Sequence, residues 1–169
     1  MKNRRSFIVG IKSIRLLPKE ISFLRKYKPW GVILFSRNIK NIQQTIKLTT
    51  SIRKIFNDNN YPILIDQEGG RINRLDNIIS FDNLTSEYFG ERFKKNFKEF
   101  IFIYKLFIDK TSYLLKSLGI NINTVPVLDL RIKNASNVIG DRSFSNNPKI
   151  VSIIGDYCIK NFHKNGIGT

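Results

Sequence analysis

The sequence predicts an α/β fold of parallel strands joined by helical crossovers, and three observations carry that prediction. Apolar runs of strand length at residues 7–11, 31–35, 63–65 and 120–127 alternate with amphipathic stretches of helical period. The runs at 31–35 and 63–65 are continuously apolar, as in strands buried on both faces. Polar clusters follow the second, third and fourth runs, where an α/β fold gathers its ligand-contacting groups.

Taken in order, the run 7–11 gives the first strand. Pro18 opens a helix through Tyr27, because a first-turn position needs no backbone N–H, and Ile21 and Leu24 share one face. Pro29 ends it. The second strand, 31–35, runs into Ser36-Arg37-Asn38. Asn41 is placed to cap the next helix, with Ile42, Ile46, Thr49, Ile52 and Ile55 on one side. Asn57-Asp-Asn-Asn60 terminates that helix before the third strand. Residues 75–90 read as a loop or short helix. A long helix follows, with Phe93, Phe97, Phe100, Tyr104, Ile108, Thr111 and Leu115 as a core-facing stripe and Gly119 just past its end. The fourth strand leads through Pro126-Val-Leu-Asp129 to a polar loop carrying Gly140-Asp-Arg-Ser-Phe144. Asn147-Pro148 starts the last helix, with Ile150, Ile154, Cys158 and Phe162 on one face. Gly166-Ile-Gly-Thr169 reads as the first step of a fifth strand.

Two architectures accommodate this order: an open doubly wound sheet, or the first four units of a (β/α)8 barrel. A barrel takes about 250 residues, and the chain has 169. A dinucleotide fold would place a Gly-rich phosphate loop after the first strand. That loop is missing, and the polar clusters sit where a barrel active site requires them.

The densest cluster is Tyr61-Pro-Ile-Leu-Ile-Asp66-Gln-Glu-Gly-Gly-Arg71-Ile-Asn-Arg74. A buried run breaks into two carboxylates, an amide, paired glycines and two arginines. Gly69-Gly70 permits a tight turn or close approach of a ligand. Ordinary turn chemistry does not account for that density of charged types.

Composition narrows the field. The chain has 29 basic and 13 acidic residues, net +16, but the basic residues are spread along it and stacking aromatics are not interleaved among them. Nucleic-acid binding is not expected on that basis. The single cysteine, Cys158, excludes an internal disulfide and supplies no metal-ligand spacing, so no cofactor or metal is expected. The start, Met1-Lys-Asn-Arg-Arg, is positive, but the apolar run after it is too short for a signal segment. No apolar stretch reaches membrane-spanning length. A soluble cytoplasmic chain without membrane attachment is expected.

With those clusters located, the chain resembles the family 3 glycoside hydrolases, and within them the bacterial β-N-acetylhexosaminidases of peptidoglycan recycling. The resemblance rests on Gly31-Val-Ile-Leu-Phe-Ser-Arg-Asn38, Ile65-Asp-Gln-Glu-Gly-Gly-Arg-Ile-Asn-Arg74, Pro126-Val-Leu-Asp129, Ile139-Gly-Asp-Arg-Ser-Phe144 and Gly166-Ile-Gly-Thr169. It implies an α/β fold that is a partial (β/α)8 barrel of about four units. The implied substrate is a terminal N-acetylglucosamine on a muropeptide. Asp66 would accept hydrogen bonds from sugar hydroxyls, and Arg74 and Arg142 would hold the sugar with their rigid forks. Glu68 and Arg71 are expected to build the loop rather than touch sugar. Asp129 is read either as a supporting carboxylate at a strand mouth or as structural, and Asp141 as a solvated loop residue.

The chemistry that the resemblance implies is retaining hydrolysis through an aspartate nucleophile, with a histidine and aspartate as acid/base. The family's Lys-His-Phe-Pro-Gly motif, acid/base loop and nucleophile follow Gly-Ile-Gly-Thr, where this sequence stops. No catalytic residue is therefore expected within it, and the lone His163 reads as a helix-end residue favoured by the dipole. The expectation is one incomplete barrel domain over 1–169, inactive alone, completed by a C-terminal half. The alternative is a non-catalytic sugar-binding module that self-associates.

Overall fold

A parallel strand cannot turn directly into its neighbour, so each apolar run needs a crossover. In the computed structural model, which describes residues 4–132 and 137–169, helices supply it. The order is β1 (Arg5–Gly10), α1 (Pro18–Tyr27), β2 (Pro29–Leu34), α2 (Ile42–Phe56), β3 (Ile63–Ile65), α3 (Ser86–Lys95), α4 (Phe97–Ser117), β4 (Ile122–Asn123) and α5 (Pro148–Lys164). Met1–Asn3 of the positive start lie outside the described residues.

The strands pair in parallel in the order β1-β2-β3-β4. A doubly wound sheet reverses its winding at a switch point; among the described residues the order does not reverse. Sequential winding with right-handed crossovers puts the helices on one side of the sheet, which is the beginning of a (β/α)8 barrel. Gly168 forms a parallel bridge to Ile122, continuing the series past β4.

Register decides which side chains meet the helices. Val32 pairs with Ile63 and Leu34 with Ile65, and all four belong to the core and are fully buried. Burying each such side chain stabilises by about 1.5–3 kcal/mol. The opposite face carries Ile8, Gly31, Ile33, Leu64 and Ile122. There a Cβ on Gly31 would lie 2.7 Å from Leu64 Cδ1, so the glycine lets Leu64 lean across its neighbour. Ile8, on the strand with no second partner among the described residues, is 44% exposed on that face.

Local chemistry sets the helix ends. Glu20 accepts from the Leu17 and Lys12 N–H groups, both at 2.8 Å, and Lys28 closes α1 in the left-handed region, φ 48°. The Asn41 side chain caps α2 by accepting from Gln44 N at 2.9 Å, an interaction worth about 1 kcal/mol. The buried face of α2 is rotated from the one expected. Thr45, Leu48, Thr49 and Ile52 are inside, while Ile42 and Ile46 are exposed. Thr49 is drawn in by its hydroxyl, which donates to Leu118 O at 2.8 Å.

The expected single long helix is two. Asn96 donates its N–H to Arg92 O at 2.8 Å, ending α3, and its side chain accepts from Glu99 N at 3.1 Å, starting α4. The break leaves Phe97 53% exposed, whereas Phe100, Tyr104, Ile108, Thr111 and Leu115 form the buried stripe as predicted. The fourth strand is shorter than the sequence suggests. Thr124 N still bonds Ile65 O at 2.9 Å, but Val125 N turns back to Asn123 O at 2.8 Å and Pro126 has no N–H, so the ladder stops.

Candidate functional site

The β3 run ends at the C-terminal edge of the sheet, and the next nine residues fold back on themselves. Glu68 N donates to Ile72 O at 3.1 Å and Ile72 N to Gly69 O at 3.3 Å, closing a tight turn. Gly69 and Gly70 have φ of 90° and 56°, a region that side chains resist, and a Cβ on Gly69 would lie 2.3 Å from Leu84 O.

Gln67, 1% exposed, fixes this turn from inside. Its Oε1 accepts from Arg74 N at 2.9 Å and Leu75 N at 3.0 Å, and its Nε2 donates to Asn73 Oδ1 at 2.9 Å. Asn123 of β4 ties the same residue to the sheet: its Oδ1 accepts from Gln67 N at 2.9 Å and its Nδ2 donates to Gln67 O at 3.1 Å. Each buried polar group is thereby satisfied, and leaving one unmade would cost about 1–3 kcal/mol.

Asp66 and Arg74 emerge from this frame side by side, Arg74 Nη2 lying 3.5 Å from Asp66 Oδ2. The Thr124 hydroxyl lies within hydrogen-bond reach of both Asp66 Oδ1 and Ile65 O. The Arg74 guanidinium lies 5.5 Å from the Phe35 ring centre, a cation–π contact that fixes its plane. Its Nε is buried without a hydrogen-bond partner. Arg74 thus keeps most of its donors in reserve, and Asp66 keeps unused lone pairs beside them.

Arg142 comes from a short 3-10 turn, Gly140–Arg142, and reaches the same turn. Its Nε and Nη2 donate to the two Glu68 oxygens, both at 2.8 Å, and the Glu68 side chain is 7% exposed. That fork holds the guanidinium firmly charged, pushing its pKa up; the Glu68 hydrogen bond is the main cause. Among the described residues Nη1 has no hydrogen-bond partner. Glu68 therefore builds the site, as expected.

Arg71 also builds. Its Nη2 donates to the carbonyls of Asn137, Val138 and Ile139 at 3.0, 2.5 and 3.0 Å, and its Nε faces Asp141 at 2.9 Å. Asp141, expected to be solvated, is Arg71's ion-pair partner. Asp129 is exposed; its charge favours the cationic form of Arg142, and its carbonyl accepts from Ser143 Oγ at 2.7 Å. A cleft of about 660 Å³ is lined by Arg71, Glu87, Asp129, Arg131 and Asp141, among others. Asp66, Arg74 and Arg142 do not line it, and hydrogen-bond geometry rather than cleft size identifies the candidate site.

Helix α3 seats the Arg142 turn. A Cβ on Gly90 would lie 1.7 Å from Phe144 O, so the two backbones touch. Glu87 pairs with Arg131, whose Nη2 donates to Gly140 O and Ser143 O at 3.2 and 3.3 Å. His163 is elsewhere: it ends α5, where the chain returns to the N-terminal edge of the sheet, and its Nε2 lies 2.9 Å from Thr169 Oγ1. Among the described residues no group of three His, Cys, Asp or Glu is arranged to hold a metal, and no helix is long and apolar enough to cross a membrane.

Of the residues that the sequence singles out for sugar contact, Asp66 and Arg74 pair directly, and Arg142 reaches the same turn through Glu68. The sequence reading missed Gln67, Thr124, Asn123 and Phe35. Asn123, a polar residue within an apolar run, was the one available signal.

Comparison with known proteins shows the family. The model of the glycosyl hydrolase family 3 N terminal domain matches residues 11–169. The chain is 32% identical to a beta-hexosaminidase of Hydrogenovibrio crunogenus over 162 residues, covering 96% of this chain and 44% of that protein. It is 32% identical to beta-hexosaminidase A of Pseudoalteromonas piscicida over 156 residues, 89% of this chain and 26% of that protein. Among solved structures, NagZ from Neisseria gonorrhoeae in complex with N-trifluoroacetyl-D-glucosamine aligns with a TM-score of 0.83 at 28% identity, covering 96% of this chain and 48% of that one. The chain spans less than half the length of each of these relatives. With a family model matching nearly its whole length, this chain belongs to glycosyl hydrolase family 3, as an N-terminal domain.

Proposed function

We propose that these residues form the sugar-holding side of a β-N-acetylhexosaminidase, which removes terminal N-acetylglucosamine from peptidoglycan fragments in the cytoplasm with retention of configuration. The observation that carries the reading is the pairing of Asp66 with Arg74 at the mouth of β3, with Arg142 held over the same turn by Glu68. Asp66 offers acceptors and the two arginines offer unused donors, a complement to vicinal hydroxyls and an acetamido carbonyl. Similarity to beta-hexosaminidases, and to a NagZ structure whose ligand is an N-acylated glucosamine, supports that substrate.

The proposal assigns holding, not cleavage, to these side chains. Asp66 and Glu68 are both engaged by arginines, and His163 lies at the opposite edge of the sheet from them. The 169-residue chain is expected to show saturable binding of N-acetylglucosamine by saturation-transfer NMR, lost in Asp66→Ala. It is expected not to hydrolyse 4-nitrophenyl N-acetyl-β-D-glucosaminide. Turnover by this chain alone would assign the cleaving groups to residues within it and overturn that division.

The exposed Ile8 on the β1 face away from the helices favours a second reading, a self-associating sugar-binding module. Light scattering decides it: a folded monomer at high concentration excludes this reading.

A further inference from the structure

The basic residues are spread along the chain, but the acidic ones are not. Residues 1–57 hold fourteen lysines and arginines against one acid, Glu20, so thirteen of the sixteen net positive charges belong to the first third. Glu20 is occupied in capping α1. Elsewhere on the surface, helix cations have acidic neighbours: Lys94 with Glu91, Lys105 with Asp109, Lys160 with Asp156.

The imbalance has a shape. Between α1 and α2 runs a groove of about 750 Å³ whose apolar lining includes Ile14, Leu16, Ile21, Leu48 and Ile55. Exposed Arg15, Arg25, Lys47 and Lys54 also line it, and no carboxylate does. Among the described residues none of these four cations has an ion-pair partner. On a solvated helix face, acids and bases are ordinarily interspersed. Here an apolar groove carries charge of one sign only.

We propose that this groove docks an acidic amphipathic helical segment of a partner protein, its apolar face on Ile14, Ile21 and Ile55 and its carboxylates against Arg15, Arg25, Lys47 and Lys54. Charge complementarity selects the acidic partner and steers its approach. The concave apolar surface between two helices fits the helix-in-groove mode. A flat anionic membrane would favour protruding rather than recessed apolar groups, and nucleic acid would favour stacking aromatics, which do not line the groove.

The test is fluorescence anisotropy of the 169-residue chain with a labelled 17-residue peptide of Glu and Leu patterned to form an amphipathic helix. Binding at low salt is expected, weakening about tenfold or more on raising salt from 50 to 200 mM. The Arg25→Glu/Lys47→Glu variant is expected to lose at least tenfold in affinity, while Lys110→Glu, on α4, matches wild type. A peptide with Gln replacing Leu is expected to bind far more weakly. Circular dichroism confirms that each variant is folded, and Ile14→Gln, at an exposed position of the apolar lining, gives an independent second variant. Equal binding of the Gln-substituted peptide, undiminished binding by the charge-reversed variant, or tighter binding to phosphatidylglycerol vesicles or a single-stranded oligonucleotide would each overturn the proposal.

Discussion

The turn after β3 and the loop after β4 both deliver arginines to one site, yet they are held by opposite means. Residues 66–74 are held largely from within, with Asn123 tying Gln67 to the sheet. Gln67 accepts from the backbone N–H groups of Arg74 and Leu75 at the end of the turn, and two glycines permit its close packing. The segment carrying Arg142 is held by borrowed groups: the Glu68 fork, the Arg71 guanidinium, and the backbone contact with α3 at Gly90. The first is held mainly by local chemistry, and the second is positioned by distant partners. Asp66 and Arg74 therefore form a fixed pair, while the placement of Arg142 depends on tertiary packing.

The largest effect should come from the contact that seats the second loop. Gly90→Ala puts a methyl into the Phe144 carbonyl, backbone against backbone, and α3 must shift. A loss of about 3 kcal/mol, or roughly 10 °C in Tm, is expected by calorimetry; an unchanged Tm would show that the two backbones are not in contact. Next comes Gln67→Ala, which orphans the Arg74 and Leu75 N–H groups. About 2 kcal/mol is expected in urea denaturation, together with weakened sugar binding, because the Asp66–Arg74 pair loses its frame. Glu68→Ala removes both acceptors from Arg142, whose guanidinium keeps some contact with water; a cost of about 1.5 kcal/mol is expected, with sugar affinity reduced about tenfold by freeing Arg142. Retention of full affinity would remove Arg142 from the binding side.

Beneath both loops lies Cys158, 2% exposed, whose thiol burial pushes up to about 12. Its folded pKa is raised, so its contribution to stability is complete below the ordinary thiol value near 9 and is lost as pH rises from there through about 12. Cys158→Ala should flatten that part of the alkaline limb of stability. The smallest change is expected for Asp141→Asn. Its pair with Arg71 is substantially exposed on both sides, so a shift below about 0.5 kcal/mol is expected by denaturation midpoint.

What the sequence disclosed follows the same division. Local signals were readable: Pro18 and Asn41 at helix starts, continuous apolar runs as strands, and the glycine pair as a turn. Asp66 and Arg74 were legible because they sit in one short segment. The loop partners were not. That Glu68 grips Arg142 depends on residues 74 positions apart in the chain, and no periodicity encodes that. The β4 run looked like a longer strand because Ile, Val and Thr favour strands; a backward Val125 N–H ended it. The stripe from Phe93 to Leu115 looked unbroken because Asn96 is tolerated within a helix, yet it caps both neighbours.

The central claim is that Asp66, Arg74 and Arg142 hold one N-acetylglucosamine between them. The most direct test is a titration of the isotopically labelled chain with N-acetylglucosamine, followed by backbone and arginine Nε–Hε resonances. The account predicts saturable shifts at residues 66, 74, 124 and 142 with a common dissociation constant. These should be lost together in Asp66→Ala and retained in Asp141→Asn. Shifts confined to the cleft around Asp129 and Arg131, or separate dissociation constants for Arg74 and Arg142, would contradict it.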